Sequence, residues 1–248
     1  LYKSTRVPNR KLSTRLLTKT LFFDPDDLVA GMEAGQTAAG LQTLLAEKKM
    51  LLPVNPWYPE STLGGMVSGN VFGPNRMNMG GLRDVLIGIE YINGQGERVH
   101  AGGKVVKNVS GYDLTRMMIG HLGGLGLITS VNFKVQSFAV EPHAIFLETT
   151  TTGWRTTVAQ LHGQRIPLDW IQAVSLANES RGFLLGLGFS GNQERRGRIT
   201  TEIHKATKGN TVLLAEGESS PDWSCLPGQD RFTGFLPPFL KYWGMSAR

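Results

Sequence analysis

The chain has 248 residues, 40% apolar and 19% charged, with a net charge of +6 and an isoelectric point near 9.5. That is the composition of one large or two small folded domains and excludes a disordered chain. A single cysteine, Cys225, excludes an internal disulfide framework, a four-cysteine zinc site and an iron–sulfur cluster ligated by this chain alone.

No run of about 18 apolar residues is present, so no segment reads as a membrane-spanning helix. The basic N-terminal stretch lacks the apolar core of a secretory signal. Lys3, Arg6, Arg10, Lys11, Arg15 and Lys19 all precede the first acid, Asp24. Such a stretch is a solvated basic face or a dock for something anionic: a phosphate-bearing cofactor, an acidic partner subunit or a membrane surface. No DNA- or RNA-binding motif accompanies the charge, so nucleic acid is not expected.

In chain order, Ser13 to Phe23 reads as a strand approached through a loop, Asp24 to Asp27 as a turn and Leu28 to Glu33 as a strand. Thr37 then caps a helix whose apolar stripe is Leu41, Leu44 and Leu45. Leu51 to Val54 is a short apolar run before an irregular stretch. Val85 to Asn93 and Arg98 to Ala101 read as a hairpin closed by Gly94-Gln95-Gly96. Asp113 to Ile119 reads as a short helix and Leu127 to Val135 as a strand. Beyond Ser137 the predicted order is strand Ala144–Thr149, helix Gly153–His162, strands Ile171–Leu176 and Arg181–Phe189, helix Asn192–Thr207 and strand Thr211–Glu216. This β-α-β-β-α-β order is that of a ferredoxin-like unit. The fold class is α+β, with a boundary near 138 separating residues 1–138 from 139–248. Phe235 to Phe239 forms an apolar knot near the C-terminus.

Glycine makes up 31 of the 248 residues, and 16 of those lie between positions 64 and 126, against a usual share of about 7%. Three segments concentrate them. Ser61-Thr62-Leu63-Gly64-Gly65-Met66-Val67-Ser68-Gly69-Asn70 sets paired glycines beside hydroxyl residues, a pattern that lets backbone N–H groups converge on an anion. It is neither a Rossmann fingerprint nor a P-loop, and glycines in ordinary turns would look the same. Lys107-Asn108-Val109-Ser110-Gly111-Tyr112-Asp113 is the second. Gly120-His121-Leu122-Gly123-Gly124-Leu125-Gly126 is the third, and it runs directly into an apolar strand.

In this order and spacing, together with Gly80-Gly81-Leu82-Arg83-Asp84 and Gly102-Gly103-Lys104, the segments resemble the FAD-binding domain of the vanillyl-alcohol-oxidase (PCMH) type. Within it they most resemble the FAD-binding subunit family of glycolate oxidase. The resemblance covers Leu1 to Val135, a little over half the chain. It implies a PCMH-type domain followed by a smaller ferredoxin-like cap. It also implies that Ser61, Thr62, Gly64, Gly65 and Ser68 line the pyrophosphate and ribityl part of FAD. Gly120, Gly124, Gly126 and Ile128 would hold the flavin or adenine edge through backbone groups. The implied activity is oxidation of a small 2-hydroxy acid, glycolate or D-lactate. The implied setting is a complex with a second flavin subunit and an iron–sulfur subunit; a cytoplasmic place for it, at the inner face of a membrane, is expected from the missing export signal. Two departures point to the alternative of a non-catalytic scaffold with weakened FAD binding. The family's earlier glycine-rich pyrophosphate loop would lie upstream of Leu1-Tyr2-Lys3-Ser4, so either the chain is a fragment or half the cofactor clamp has been lost, and nothing like the family's histidine-rich C-terminal motif appears in this chain.

Hydroxy-acid oxidation moves a hydride from Cα to the flavin and needs a base, with an arginine or metal for the carboxylate. His100, His121, His143, His162 and His204 show no metal-ligand spacing, and only His121 lies in an implied cofactor loop. Arg76, Arg83 and Arg116 are candidates for an anion or for ordinary ion pairs. Trp154, Trp170, Trp223 and Trp243 read as packing anchors. No Gly-x-Ser-x-Gly elbow supports serine hydrolysis, and Cys225 has no partner cysteine for a redox pair. The catalytic base stays unassigned, and no metal is expected.

Overall fold

A computed structural model describes residues 12–54, 56, 60–73, 76–104, 113–137, 142–150, 152–175, 182–207 and 211–217. The first part runs β1 (Thr20–Asp24), β2 (Val29–Glu33), α1 (Ala38–Ala46), β3 (Met50–Leu51), α2 (Leu63–Gly69), α3 (Arg76–Met79), α4 (Leu82–Val85), β4 (Leu86–Ile92), β5 (Arg98–Gly102), α5 (Leu114–Met117), β6 (Leu127–Lys134) and β7 (Gln136–Ser137). Five of these strands form one antiparallel sheet in the order β1-β2-β6-β4-β5, and β3 pairs with β7.

Local chemistry sets the ends of these elements. The Asp24 carboxylate accepts the N–H groups of Asp26 and Asp27 at 3.0 and 3.1 Å, closing the β1–β2 turn. The Thr37 hydroxyl accepts the Gly40 amide at 3.0 Å and starts α1. Gln42 bonds both backbone groups of Leu52, at 2.8 and 3.1 Å, and so fixes the return of the chain beside α1. Leu41 and Leu45 of α1 and Leu63, Met66 and Val67 of α2 share one core with Met32, Ile89, Val131 and Phe133. Phe133 is fully buried, so truncating it to alanine costs about 3–5 kcal/mol.

The second part runs β8 (Pro142–Thr149), α6 (Gly153–Gly163), β9 (Trp170–Ser175), β10 (Phe183–Ser190), α7 (Gln193–Thr207) and β11 (Thr211–Gly217). Its sheet is antiparallel in the order β11-β8-β10-β9. A separate core of Ile145, Leu147, Leu161, Leu185, Leu187, Phe189, Ile199 and Ile203 lies between this sheet and the two helices. A Cβ at Gly188 would collide with the Trp170 indole, so that glycine is required by packing. A hydrogen bond from Asn78 Nδ2 to Asp169 Oδ1 at 3.2 Å joins the two parts.

Two expectations need correcting. Strand β1 begins at Thr20, not Ser13, because its partner β2 offers only five residues. Leu12 and Leu16 are left 80% and 93% exposed. The stretch around Gly64 and Gly65, whose glycines looked like those of ordinary turns, is the helix α2.

Candidate functional site

Helix α2 forms in spite of three glycines because both its ends are capped. Thr62 accepts the Gly65 amide at 3.2 Å, and Asn70 closes the other end in the left-handed conformation, φ 48°. Leu63, Met66 and Val67, spaced i, i+3, i+4, face the core and are fully buried. Gly65, Ser68 and Gly69, at the same spacing, form the outer face, with both glycines exposed and Ser68 half-buried.

The sheet holds this helix at a set height. Ala34 donates to the Thr129 carbonyl at 2.9 Å, Gly64 to the Ala34 carbonyl at 2.8 Å, and Leu63 to the Gln36 carbonyl at 2.8 Å. Ala38 donates to the Ser61 carbonyl at 2.9 Å. A Cβ on Gly64 would lie 3.0 Å from that of Ala34 and 3.7 Å from that of Ile128. Gly64 therefore lets α2 pack tightly on the sheet, and Ile128, 4% exposed, is the floor beneath it.

At the other end of α2, Gly120 donates to the Val67 carbonyl and Leu122 to the Ser68 carbonyl, each at 2.9 Å. The segments 61–70 and 120–128, far apart in sequence, thus meet at one place. Gly120 and Gly123 have φ of 82° and 86°, as does Leu122 at 53°, a backbone that glycine adopts without strain and leucine does not. His121 organises the rest of the turn. Its Nδ1 accepts the amides of Gly123 and Leu125 at 3.1 and 3.3 Å, and its carbonyl accepts Gly124 at 2.9 Å. Its Nε2 is buried with no hydrogen-bond partner among the described residues, and burial pulls the imidazole below its ordinary pKa. Gly126 is closed in, because a Cβ there would strike the Ile92 carbonyl.

The sequence suggests bare amides converging on an anion. In the structure the amides of Leu63, Gly64, Gly65, Gly120, Leu122, Gly123, Gly124 and Leu125 all donate within the protein. What is left is a glycine-rich surface on which Gly65, Gly120, Gly123 and Gly124 are exposed, with the Leu122 and Leu125 side chains standing out beside them. A Cβ on Gly65 would meet only the Thr62 hydroxyl, and one on Gly123 nothing within 4 Å. Such a wall fits a flat ring and its polyol stem. It does not supply the donors that a diphosphate needs, so in this respect the residues fit only part of FAD.

Other candidates fall elsewhere. Asp113 caps α5 by accepting the Arg116 amide at 3.0 Å, and it pairs with the Arg116 guanidinium at 3.2 Å. Arg76 lies over the Phe72 ring at 4.2 Å, and Arg83 is exposed. His143 packs on Phe189, Trp154 on Phe183 and Trp170 on Phe146. Lys107 to Tyr112, Cys225, Trp223, Trp243 and the apolar knot lie outside the described residues. Among the described residues no group of three His, Cys, Asp or Glu side chains could hold a metal. One residue that sequence reasoning did not single out is Asn132, buried in β6, whose amide donates to the Gly103 carbonyl at 3.1 Å and so anchors the chain leaving β5. An Asn between Val131 and Phe133 of β6 was its one signal.

Residues 9–102 match the family described as FAD binding domain. The chain is 36% identical over 131 residues to glycolate oxidase subunit GlcE of Escherichia coli, covering 52% of this chain and 37% of that protein. It is 32% identical to glycolate oxidase subunit GlcD of Bacillus subtilis, over 48% of this chain and 26% of that one. It is also 32% identical to a D-lactate dehydrogenase of Archaeoglobus fulgidus, over 50% and 28%. The matches thus span between a quarter and two fifths of the relatives' lengths. A solved alkyldihydroxyacetonephosphate synthase shares the fold with a TM-score of 0.64 at 19% identity, covering 82% of this chain and 42% of that one.

Proposed function

We propose, from the match of residues 9–102 to the FAD binding domain family and from the likeness to glycolate oxidase subunits, that this chain binds FAD and is the flavin-holding part of an oxidoreductase for a small 2-hydroxy acid. The observation that carries the reading is the junction of α2 with the Gly120–Gly126 loop, where the two implied cofactor segments meet in one glycine-rich wall. Gly65, Ser68, Gly120 and Gly124 border the flavin and its ribityl stem on this reading. Ser61 and Thr62 shape the helix start beside them. Gly64, Gly126 and Ile128 act from behind, by letting the backbone approach closely. The diphosphate is met by groups other than the amides of α2, since those are already bonded.

When bound, FAD accepts the two electrons that leave Cα as the hydroxyl carbon becomes a carbonyl. This chain's own part is to place the ring, to keep water from one of its faces and to hold the wall rigid. On the same reading residues 1–138 are the FAD-binding domain and 139–248 a ferredoxin-like cap. The electrons pass to a partner iron–sulfur subunit, with a second flavin subunit in the same assembly. That assembly sits in the cytoplasm at the inner membrane face. The names of two relatives as subunits support the complex.

The test uses the complete gene product purified with whatever subunits accompany it. Anaerobic addition of glycolate, D-lactate or D-2-hydroxyglutarate is expected to bleach the bound flavin with one of the three. The internally bonded amides favour a second reading, a scaffold subunit with weakened FAD affinity. A complex in which flavin stays with the partner while this chain, titrated with FAD, binds none would establish that reading instead.

A further inference from the structure

We propose that His121 is a positioning residue for the cofactor wall, a neutral imidazole that ties the Gly120–Gly126 turn together and releases it when protonated. The cofactor arm of this proposal rests on the function proposed above; the imidazole arm does not.

A ring nitrogen that accepts two N–H groups carries no proton. Nδ1 of His121 accepts from Gly123 and Leu125, so in the neutral ring the proton is on Nε2. The His121 carbonyl takes the amide between them, that of Gly124. Three successive amides of the turn are therefore committed to one residue. Protonation would turn Nδ1 into a donor facing two donors, and both amides would lose their acceptor. The turn has little else to hold its shape, since Gly120, Leu122 and Gly123 all have positive φ and only Gly120 and Leu122 are tied back to α2.

Among the described residues the surroundings reinforce the neutral form without any charged neighbour. Helix α2 carries no ionisable side chain, nor do residues 122–133. On α5 Asp113 and Arg116 are paired with each other, and on β4 Glu90 is paired with Arg98 at 2.8 Å. The depression of the imidazole comes from burial alone. Asparagine at 121 could accept the i+2 amide in an Asx-turn and cannot titrate. Alanine can do neither.

The experiment has two arms on the full chain. Nitrogen-15 NMR of the imidazoles, without FAD, is expected to show His121 as the Nε2–H tautomer with a pKa below that of a free imidazole. An Nδ1–H tautomer, or an unshifted pKa, overturns the proposal. FAD affinity measured from about pH 8 to about pH 5 is expected to fall by about tenfold or more in the wild type as His121 titrates. In His121→Asn it is expected to stay flat across that step and within about threefold of the neutral wild-type value, one good hydrogen bond being the difference. A His121→Asn profile that steps like the wild type overturns it. Should the wild type bind no FAD at any pH, the function proposed above falls. The positioning role is then decided by the tautomer and by amide exchange at Gly123 and Leu125, which is expected to accelerate in His121→Asn at Leu125 and in His121→Ala at both.

Discussion

Leucine placed at position 65 and at position 64, on opposite faces of one helix, separates the cofactor wall from the core. A Cβ on Gly64 would already press on the Ala34 Cβ at 3.0 Å and on its carbonyl at 3.3 Å, and the rest of the side chain would drive between α2 and the sheet. Overpacking of this kind costs about 1–3 kcal/mol, and at this chain length each kcal/mol lowers Tm by about 2–4 °C. Gly64→Leu should therefore melt about 2–12 °C below the wild type. Gly65 is different: it is exposed, and its Cβ would meet only the Thr62 hydroxyl at 3.0 Å. Leucine there recovers up to about 1 kcal/mol of helix propensity relative to glycine, so Gly65→Leu should melt at or slightly above the wild-type temperature. Its side chain would stand where the flavin stem is proposed to lie, and FAD affinity should fall at least about tenfold, or 1.4 kcal/mol. Differential scanning fluorimetry and a flavin-fluorescence titration on the same preparations decide the matter. A Gly65→Leu chain that keeps wild-type FAD affinity refutes the assignment of the outer face of α2 to the cofactor.

Thr62→Ala removes the cap bond to Gly65 and should lower stability by about 1 kcal/mol, read as a lower urea midpoint, with Thr62→Ser close to wild type. Burial would raise the Glu90 carboxyl, but its hydrogen bonds to Arg98 and Thr129 more than offset this and leave it below its ordinary pKa. A depressed carboxyl contributes stability above its ordinary pKa and loses it as pH falls through the folded value. Glu90→Gln should thus be less stable than the wild type at neutral pH and converge with it in acid; melts at several pH values check the convergence. Asp169 is shifted the other way: burial raises it, only partly countered by Ser190 and Arg195. A raised carboxyl makes the charged form a burden at neutral pH that is relieved as pH falls through the folded value. Asp169→Asn, which keeps an acceptor for Asn78, should melt no lower than the wild type at neutral pH and lose any advantage in mild acid. A lower neutral melting temperature would count against this account.

Most of the sheet strands were readable because their alternation and turn residues agree. Val85–Asn93 against β4, and Asp24–Asp27 against the Asx turn, differ by a residue or two from the structure. Thr37 as a cap was readable for the same reason, a hydroxyl just before an i, i+3, i+4 stripe. Helix α2 was hidden because Gly64, Gly65 and Gly69 carry the poorest propensity short of proline. Its signal was there all the same, in Leu63, Met66 and Val67 between Thr62 and Asn70. The use of the amides was not readable. Whether Gly64 donates to a phosphate or to the Ala34 carbonyl depends on where a strand thirty residues earlier comes to rest, and no local pattern records that. The role of His121 was out of reach for a related reason, since it follows from a ring rotamer and from burial.

The wall is bonded to residues 34 and 36 on one side and to 120 and 122 on the other. Each of those bonds joins residues far apart in the chain, Gly64 to Ala34 and Gly120 to Val67 among them, so the wall is a product of long-range assembly. Bound cofactor would pull on the whole folding equilibrium, by the mass-action term that ligand concentration over Kd sets. A substitution deep in the core, at Phe133 for instance, would then surface first as a chain that loses its yellow colour on dilution.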